Sequence, residues 1–277
     1  MAEPERVPVV FVHGLWLHSS SWTPWAELFT ARGFAAHAPG WPGDAATAAE
    51  TRANPDAVAD VSIAAVTDAY ASFISGLPSK PVVIGHSFGG LIAQRLHASG
   101  VSRAAVVLSP AQFKGIYQLP VAQLRTVGPL LARPQLRRKA WAHSPESFHR
   151  TFANAVSREE SDRLFDAYGM PSPMKPLFQA AFANVVPGSE AAVDTRAGRG
   201  PLLLIAAAED RTVPASLVRS AYKIQKKNNA GVTEIVEFPG RAHSYGADSG
   251  WREVADTALD FLTRHPVAST ARSGASG

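Results

Sequence analysis

The chain has 277 residues, 46% of them hydrophobic and 18% charged, which is ordinary globular composition and room for one large α/β domain, with or without an insertion. It has no cysteine, so disulfides, thiol catalysis and cysteine-based metal sites are excluded. The formal net charge is only +4, and the single short basic run, Arg133 to Lys139, reads as a solvated face, so nucleic acid is not an expected partner.

The first residues, up to His13-Gly14, hold no basic stretch followed by an apolar one and read as a strand rather than a secretory signal. No run of 18 apolar residues exists to form a membrane-spanning helix. The expectation is a cytoplasmic protein with no membrane partner.

In chain order, short apolar runs alternate with amphipathic stretches. Val7 to Val12 predicts a buried strand, Ser21 to Arg32 a helix ended by Gly33, and Phe34 to Ala38 a short strand. Ile63, Val66, Tyr70, Phe73 and Ile74 recur at helical spacing within Ala59 to Gly76. Pro81 to Ile84 is a strand, Phe88 to Ser99 a helix closed by Gly100, and Ala104 to Leu108 a strand. The rhythm returns with strand Leu202 to Ala207, helix Pro214 to Lys226, strand Val232 to Phe238 and helix Trp251 to Arg264. Strands that are apolar throughout, separated by helices, predict a mostly parallel sheet with both faces covered.

The middle breaks this pattern. From Phe113 to Arg196 the periodicity is helical, with no convincing strand. Ser157-x-x-Glu160 is a capping box opening a helix that stops at Gly169, and Ser144-Pro145 opens another. The expected organisation is a core of residues 1–112 and 197–265, a helical lid over 113–196, and a disordered Gly/Ser-rich tail over 266–277. Between Phe113 and Arg199 there are 12 Lys and Arg against 7 Asp and Glu. That excess motivates an expectation that substrates carry negative charge. The lid aromatics and Met174, among them Phe152, Phe165, Phe178 and Phe182, can line a pocket or pack the lid's own helices.

The chemistry centres on Gly85-His86-Ser87-Phe88-Gly89-Gly90, a G-x-S-x-G placed after a strand and before a helix. A serine on so sharp a turn needs small residues two positions before and after it, where strand and helix backbones approach. Gly85 and Gly89 supply that space, and the Ser87 hydroxyl then stands at the carboxyl end of the sheet, where ligands bind in open parallel sheets.

At these residues the chain resembles the α/β-hydrolase superfamily over Val7 to about His265. It is most similar to small lidded serine esterases related to non-haem perhydrolases and to plant methylesterases and hydroxynitrile lyases. The resemblance implies an α/β-hydrolase fold and a triad in the chain order serine, acid, histidine. Ser87 is then the nucleophile. The base lies after the last core strand and before the last helix, where His243 stands in Pro239-Gly-Arg-Ala-His-Ser-Tyr; Ala242 departs mildly from the usual residue there. The acid the resemblance implies is Asp210, in the family's spacing Asp-x-x-Val-Pro, with Glu209, one residue off, and an acid after another strand, as some relatives use, as the alternatives. His13-Gly14-Leu15 resembles the motif that supplies one oxyanion donor, the N–H of Leu15; the second is the N–H of Phe88. Trp16, His18, Trp22 and His86 are candidate pocket residues, although aromatic residues there are often plain core. His143 and His149 lie in the lid, where they can touch substrate or pack.

What the resemblance implies is hydrolysis of small-molecule carboxylic esters through an acyl-enzyme, with no cofactor. The same triad serves perhydrolase, thioesterase, C–C hydrolase and hydroxynitrile-lyase chemistry, and the scaffold can also act as a ligand receptor. No phosphate-binding glycine motif and no HExxH zinc motif is present.

Overall fold

A computed structural model of the chain describes residues 6–266; nearly all of the tail expected to be disordered lies outside the described residues. The strands are β1 (Pro8–Val12), β2 (Ala35–His37), β3 (Val82–His86), β4 (Ala104–Leu108), β5 (Ala140–Trp141), β6 (Ser172–Pro173), β7 (Leu202–Ala207) and β8 (Thr233–Phe238). The α-helices are α1 (Thr23–Ala31), α2 (Ala48–Ala53), α3 (Ile63–Ser75), α4 (Phe88–Ala98), α5 (Val121–Leu131), α6 (Pro145–Thr151), α7 (Arg158–Tyr168), α8 (Lys175–Ala181), α9 (Ala215–Asn228) and α10 (Trp251–Arg264).

Six strands pair in parallel, in the order β2-β1-β3-β4-β7-β8. β1, β3, β4 and β7 are buried at every residue because helices cover both faces. Alternate residues feed two cores. Val10, Val12, Val83 and Val107 join Leu91 of α4 and Tyr70 of α3 on one side. Val9, Phe11, Ile84 and Val106 join Trp25 of α1 and Phe261 of α10 on the other. The register sets Val12 beside Gly85, His86 beside Leu108, and Ala207 beside Phe238. The strands therefore end together, and the loops that follow them meet at one edge.

Several boundaries differ from the sequence expectation for local reasons. The helix expected from Ser21 begins as a tight 3-10 turn over Ser19–Trp22 and becomes α-helical at Thr23, with Pro24 in its first turn. The stretch from Ala59 becomes α-helical only at Ile63, because Ser62 is the cap and its Oγ accepts from the Ala65 N–H. Helix α2 was not foreseen, although Thr47 and Glu50 form a reciprocal capping box that marks its start. The Ser157 box is only half made. Ser157 Oγ accepts from the Glu160 N–H, while the Glu160 carboxylate accepts from the Ser249 N–H at 2.6 Å and so ties the lid to the loop after His243.

Between β4 and β7 no strand joins the main sheet. The expectation of no strand there needs one correction: β5 and β6 pair antiparallel over two residues each. Two-residue strands are too short to leave an alternating pattern in sequence.

His97, near the end of α4, bonds through Nδ1 to Ser102 Oγ (2.7 Å) and through Nε2 to the Gly200 carbonyl (3.0 Å), joining α4 to the segments that lead into β4 and β7. Burial lowers its pKa from 6.5 to about 4, the Gly200 bond opposing and the Arg199 charge adding to the shift. The unfolded chain therefore binds a proton that the native chain refuses between these values. The stability contribution is whole above about pH 6.5 and declines as pH falls toward 4, by up to about 1.4 kcal/mol per pH unit. His97→Gln is expected to flatten part of that slope, as read from urea midpoints across the window.

Candidate active site

Ser87 follows the last residue of β3 and adopts φ +55° and ψ −122°, a backbone conformation rare outside glycine. The strain is held by neighbours. The Ser87 N–H donates to the Leu108 carbonyl (2.9 Å), and the Ser87 carbonyl accepts from the N–H groups of Gly90 and Ala111 (both 2.9 Å). A Cβ on Gly85 would stand 2.2 Å from the Gly89 carbonyl oxygen, and one on Gly89 would stand 2.0 Å from that of Val12. These two positions have no room for any side chain.

The loop after β1 lies against this turn. A Cβ on Gly14 would stand 2.7 Å from Ser87 Cβ and 3.4 Å from Phe88 N. The N–H groups of Leu15 and Phe88 thus come from adjoining loops where the strand order reverses, and Phe88 is the first residue of α4, whose N–H has no acceptor within the helix.

His13 holds the Leu15 peptide from behind. Its Nδ1 lies 2.8 Å from the Gly14 carbonyl oxygen, the acceptor end of the peptide whose donor end is the Leu15 N–H. Its Nε2 lies 2.9 Å from Asp44 Oδ2, both side chains buried, and its ring stacks on Trp41 (5.2 Å). Asp44 also accepts from the Trp41 N–H at 2.8 Å. Sequence reasoning missed Asp44; no local pattern marks an acid brought to His13 by packing.

After β7, Asp210 is buried and fully used. Its Oδ1 accepts from the N–H groups of Thr212 (2.8 Å) and Val213 (2.7 Å), and its Oδ2 lies 2.6 Å from His243 Nδ1. Glu209 is exposed. After β8, His243 opens a short turn fixed on several sides. Ser244 N–H donates to the Phe152 carbonyl (3.1 Å), Ser244 Oγ to Asp248 (2.7 Å), and Tyr245 OH to the Ile205 carbonyl (3.0 Å). The His243 ring is wholly buried between His86 (4.5 Å) and Phe152 (4.7 Å). Its Nε2 has no hydrogen-bond partner among the described residues. Such an arrangement can take a proton at Nε2 and stabilise the imidazolium through Asp210.

Ser87 opens on a cavity of about 240 Å³ lined by Trp16, Phe88 and Val213 with Leu124, Val127 and Leu177 of the lid. Leu119 and Phe182 line it and also reach solvent. Of the four residues expected to shape a pocket, only Trp16 lines this cavity. His18 is buried against Ser20 Oγ and the Ala45 carbonyl, and Trp22 stacks on Phe11 (5.0 Å) in the opposite core. His86 sits under His243 and bonds through Nε2 to its carbonyl oxygen (2.9 Å); burial, then His243, push its pKa well down, so it is a neutral donor. No charged side chain lines the cavity, so the lid's basic excess lies elsewhere and the expectation of anionic substrates has no support there.

The lid also reaches the loop after β1. Trp16, at φ +72°, donates its N–H to Ser172 Oγ (2.7 Å), and its carbonyl accepts from the Met170 N–H (3.1 Å). His18 N–H donates to the Tyr168 carbonyl (2.9 Å).

Asp44→Ala removes the buried acid that meets both His13 Nε2 and the Trp41 N–H and leaves these two only each other, at 3.2 Å. It is expected to cost about 1–3 kcal/mol, read as a lower urea midpoint at unchanged m-value.

Among solved structures, an Arabidopsis methylesterase aligns at TM-score 0.64 and 18% identity, over 93% of this chain and 99% of its own. Polyneuridine aldehyde esterase aligns at 0.63 and 17%, over 92% and 99%. A pyrethroid hydrolase from Sphingobium faniae JZ-2 aligns at 0.61 and 15%, over 94% and 98%. No curated protein matches the sequence. No group of three or more histidine or acidic side chains able to hold a metal ion, and no helix long and apolar enough to cross a membrane, occurs among the described residues. The model of the alpha/beta hydrolase family matches residues 9–257, and the chain, with its parallel sheet and its serine turn after β3, belongs to that family.

Proposed function

We propose that the protein hydrolyses carboxylic esters of small molecules with Ser87 as nucleophile, His243 as base and Asp210 as its orienting acid. The observation that carries this reading is the state of the His243 ring. One nitrogen is engaged by Asp210 at 2.6 Å, and the other is buried with no hydrogen-bond partner among the described residues, in a ring that lies beside His86, the neighbour of Ser87 in the chain.

The steps follow from this geometry. Ser87 Oγ attacks the ester carbonyl carbon while its proton passes to His243 Nε2. The carbonyl oxygen becomes an oxyanion facing the N–H groups of Leu15 and Phe88, where the start of α4 also favours negative charge. The C–O bond to the alcohol breaks, and the alcohol leaves with the proton from His243. Water then attacks the acyl-enzyme by the same route, releasing the carboxylic acid and restoring Ser87. Asp210 keeps Nδ1–H fixed, so that Nε2 always faces the serine side as the free base. The solved structures of similar fold whose names describe esterases and a hydrolase of pyrethroids support the ester assignment. The apolar lining favours an uncharged acyl group.

A fluorophosphonate probe is expected to form one covalent adduct, located on Ser87 by peptide mass spectrometry and absent in Ser87→Ala. Active protein without that adduct would overturn the mechanism. Asp210→Asn keeps the size of the side chain but favours the wrong histidine tautomer, and is expected to lower kcat on p-nitrophenyl butyrate by about 10³- to 10⁴-fold with little change in KM.

A further inference from the structure

Nine large apolar side chains stand exposed among the described residues, and seven of them lie between residues 117 and 186. Tyr117 and Leu119 precede α5, and Val121 and Leu124 lie in its first turns. Phe182, Val185 and Val186 follow α8. The two segments are bound side by side. Asn184 accepts from the Gly115 N–H (2.7 Å) and donates to the Ile116 carbonyl (2.8 Å), and Lys114 Nζ donates to the Val186 carbonyl (2.9 Å). Leu119, Leu124 and Phe182 meet again as walls of the Ser87 cavity. Phe182 and Val186 also line a groove of about 530 Å³ that shares Leu131 and Phe182 with that cavity. The exposed apolar side chains therefore form one patch, and the mouth of the cavity opens inside it.

The free charge around this patch has one sign. Residues 114–139 hold six Lys and Arg and no Asp or Glu, and residues 175–189 hold one Lys and no acid. Arg138 and Lys175 pair with Asp60, whereas Lys114, Arg125, Arg133, Arg137 and Lys139 have no acidic partner among the described residues. Arg137 stands in the groove wall with Phe182 and Val186. Glu190 is in the same wall, but its carboxylate accepts from the Ala64 N–H (2.7 Å) at the start of α3. Part of the basic excess that the cavity lacks thus lies on the face where the cavity opens.

An apolar patch rimmed by unpaired cations complements a layer that is apolar inside and anionic outside. We infer that this face docks on an anionic lipid layer, the apolar side chains entering between the headgroups and the cations lying on the lipid phosphates, so that the cavity draws apolar esters from the layer. The inference rests on the ester-hydrolase reading above. A protein seated on the same patch would close the mouth at Leu119, Leu124 and Phe182, whereas a lipid layer covers the mouth and supplies what enters it. Such docking departs from the sequence expectation of no membrane partner, which concerned spanning helices; a peripheral contact needs none.

The test is flotation of the intact chain with vesicles of phosphatidylcholine alone and of phosphatidylcholine mixed with phosphatidylglycerol. Binding to the mixed vesicles is expected to be about tenfold tighter or more, and to weaken as salt is raised. Tyr117 and Val185 lie outside the cavity and are 77% and 75% exposed. Tyr117→Ser combined with Val185→Ser is expected to weaken binding about tenfold at an unchanged urea midpoint. Arg133→Gln combined with Arg137→Gln is expected to remove most of the preference for the mixed vesicles. Absence of flotation with either vesicle at low salt would overturn the inference, as would equal binding to both, or binding unchanged by the serine pair. So would a dimer in lipid-free solution that the serine pair dissolves, which would assign the patch to a second copy of the chain. Fluorophosphonate labelling of Ser87 is read on the same preparation. Labelled protein that does not float sinks the docking and leaves the hydrolase reading standing. Floating, active protein with Ser87 unlabelled overturns the hydrolase reading and, with it, the lipid layer as a source of esters.

Discussion

The turn at Ser87 depends on main chain touching main chain. Strand β3, helix α4 and the end of β1 come so close that Gly85 and Gly89 are the only residues that fit between them. This packing holds Ser87 at a positive φ that an isolated serine would leave, at a cost of the order of 1–3 kcal/mol recovered from the surrounding contacts. The same closeness brings the Leu15 and Phe88 peptides together. Loosening the turn would therefore displace the serine and both candidate oxyanion donors at once.

Around that turn, buried polar groups are anchored away from the cavity and leave one face free. Asp210 spends one oxygen on two backbone N–H groups and the other on His243. His86 spends its Nε2 on the His243 carbonyl. His13 bridges Asp44 and the Gly14 carbonyl. Rigid donors and acceptors of this kind need little reorganisation when charge develops in a reaction. They also explain why so many histidines gather here without forming a metal site: each faces a backbone carbonyl, an acid or a hydroxyl.

The parts readable in the sequence were those whose cause is local. The strand Leu202–Ala207, the helix Trp251–Arg264 and the elbow at Ser87 appear where apolar runs, helical spacing and glycine positions place them. Asp210 and His243 were legible because each sits in a loop fixed by the strand before it, and the structure brings the two side chains together. What escaped depends on distant packing. Asp44 reaches His13 across a loop with no recognisable pattern. Trp22 belongs to the far core because the 3-10 turn at Ser19–Trp22 aims it at Phe11, a phase that composition cannot give. His143 packs edge-to-face on Trp16, 127 positions earlier in the chain, with nothing in the sequence to join them.

The hydrogen bonds between residues 16–18 and 168–172 bear on how a molecule reaches the serine. Trp16 N–H to Ser172, Met170 N–H to Trp16 and His18 N–H to Tyr168 sew that half of the lid to the very loop that carries Leu15. Swinging this half outward would unpick the loop and displace the Leu15 N–H with it. The half-exposed apolar residues Leu124 of α5 and Phe182 just after α8 border the cavity from the other half, for which no hydrogen bond to the Leu15 loop occurs among the described residues. The insertion between β4 and β7 thus meets the cavity in two ways, stitched to the Leu15 loop on one side and open to solvent at Leu124 and Phe182 on the other, so a shift confined to the open side would leave the Leu15 and Ser87 turns in place.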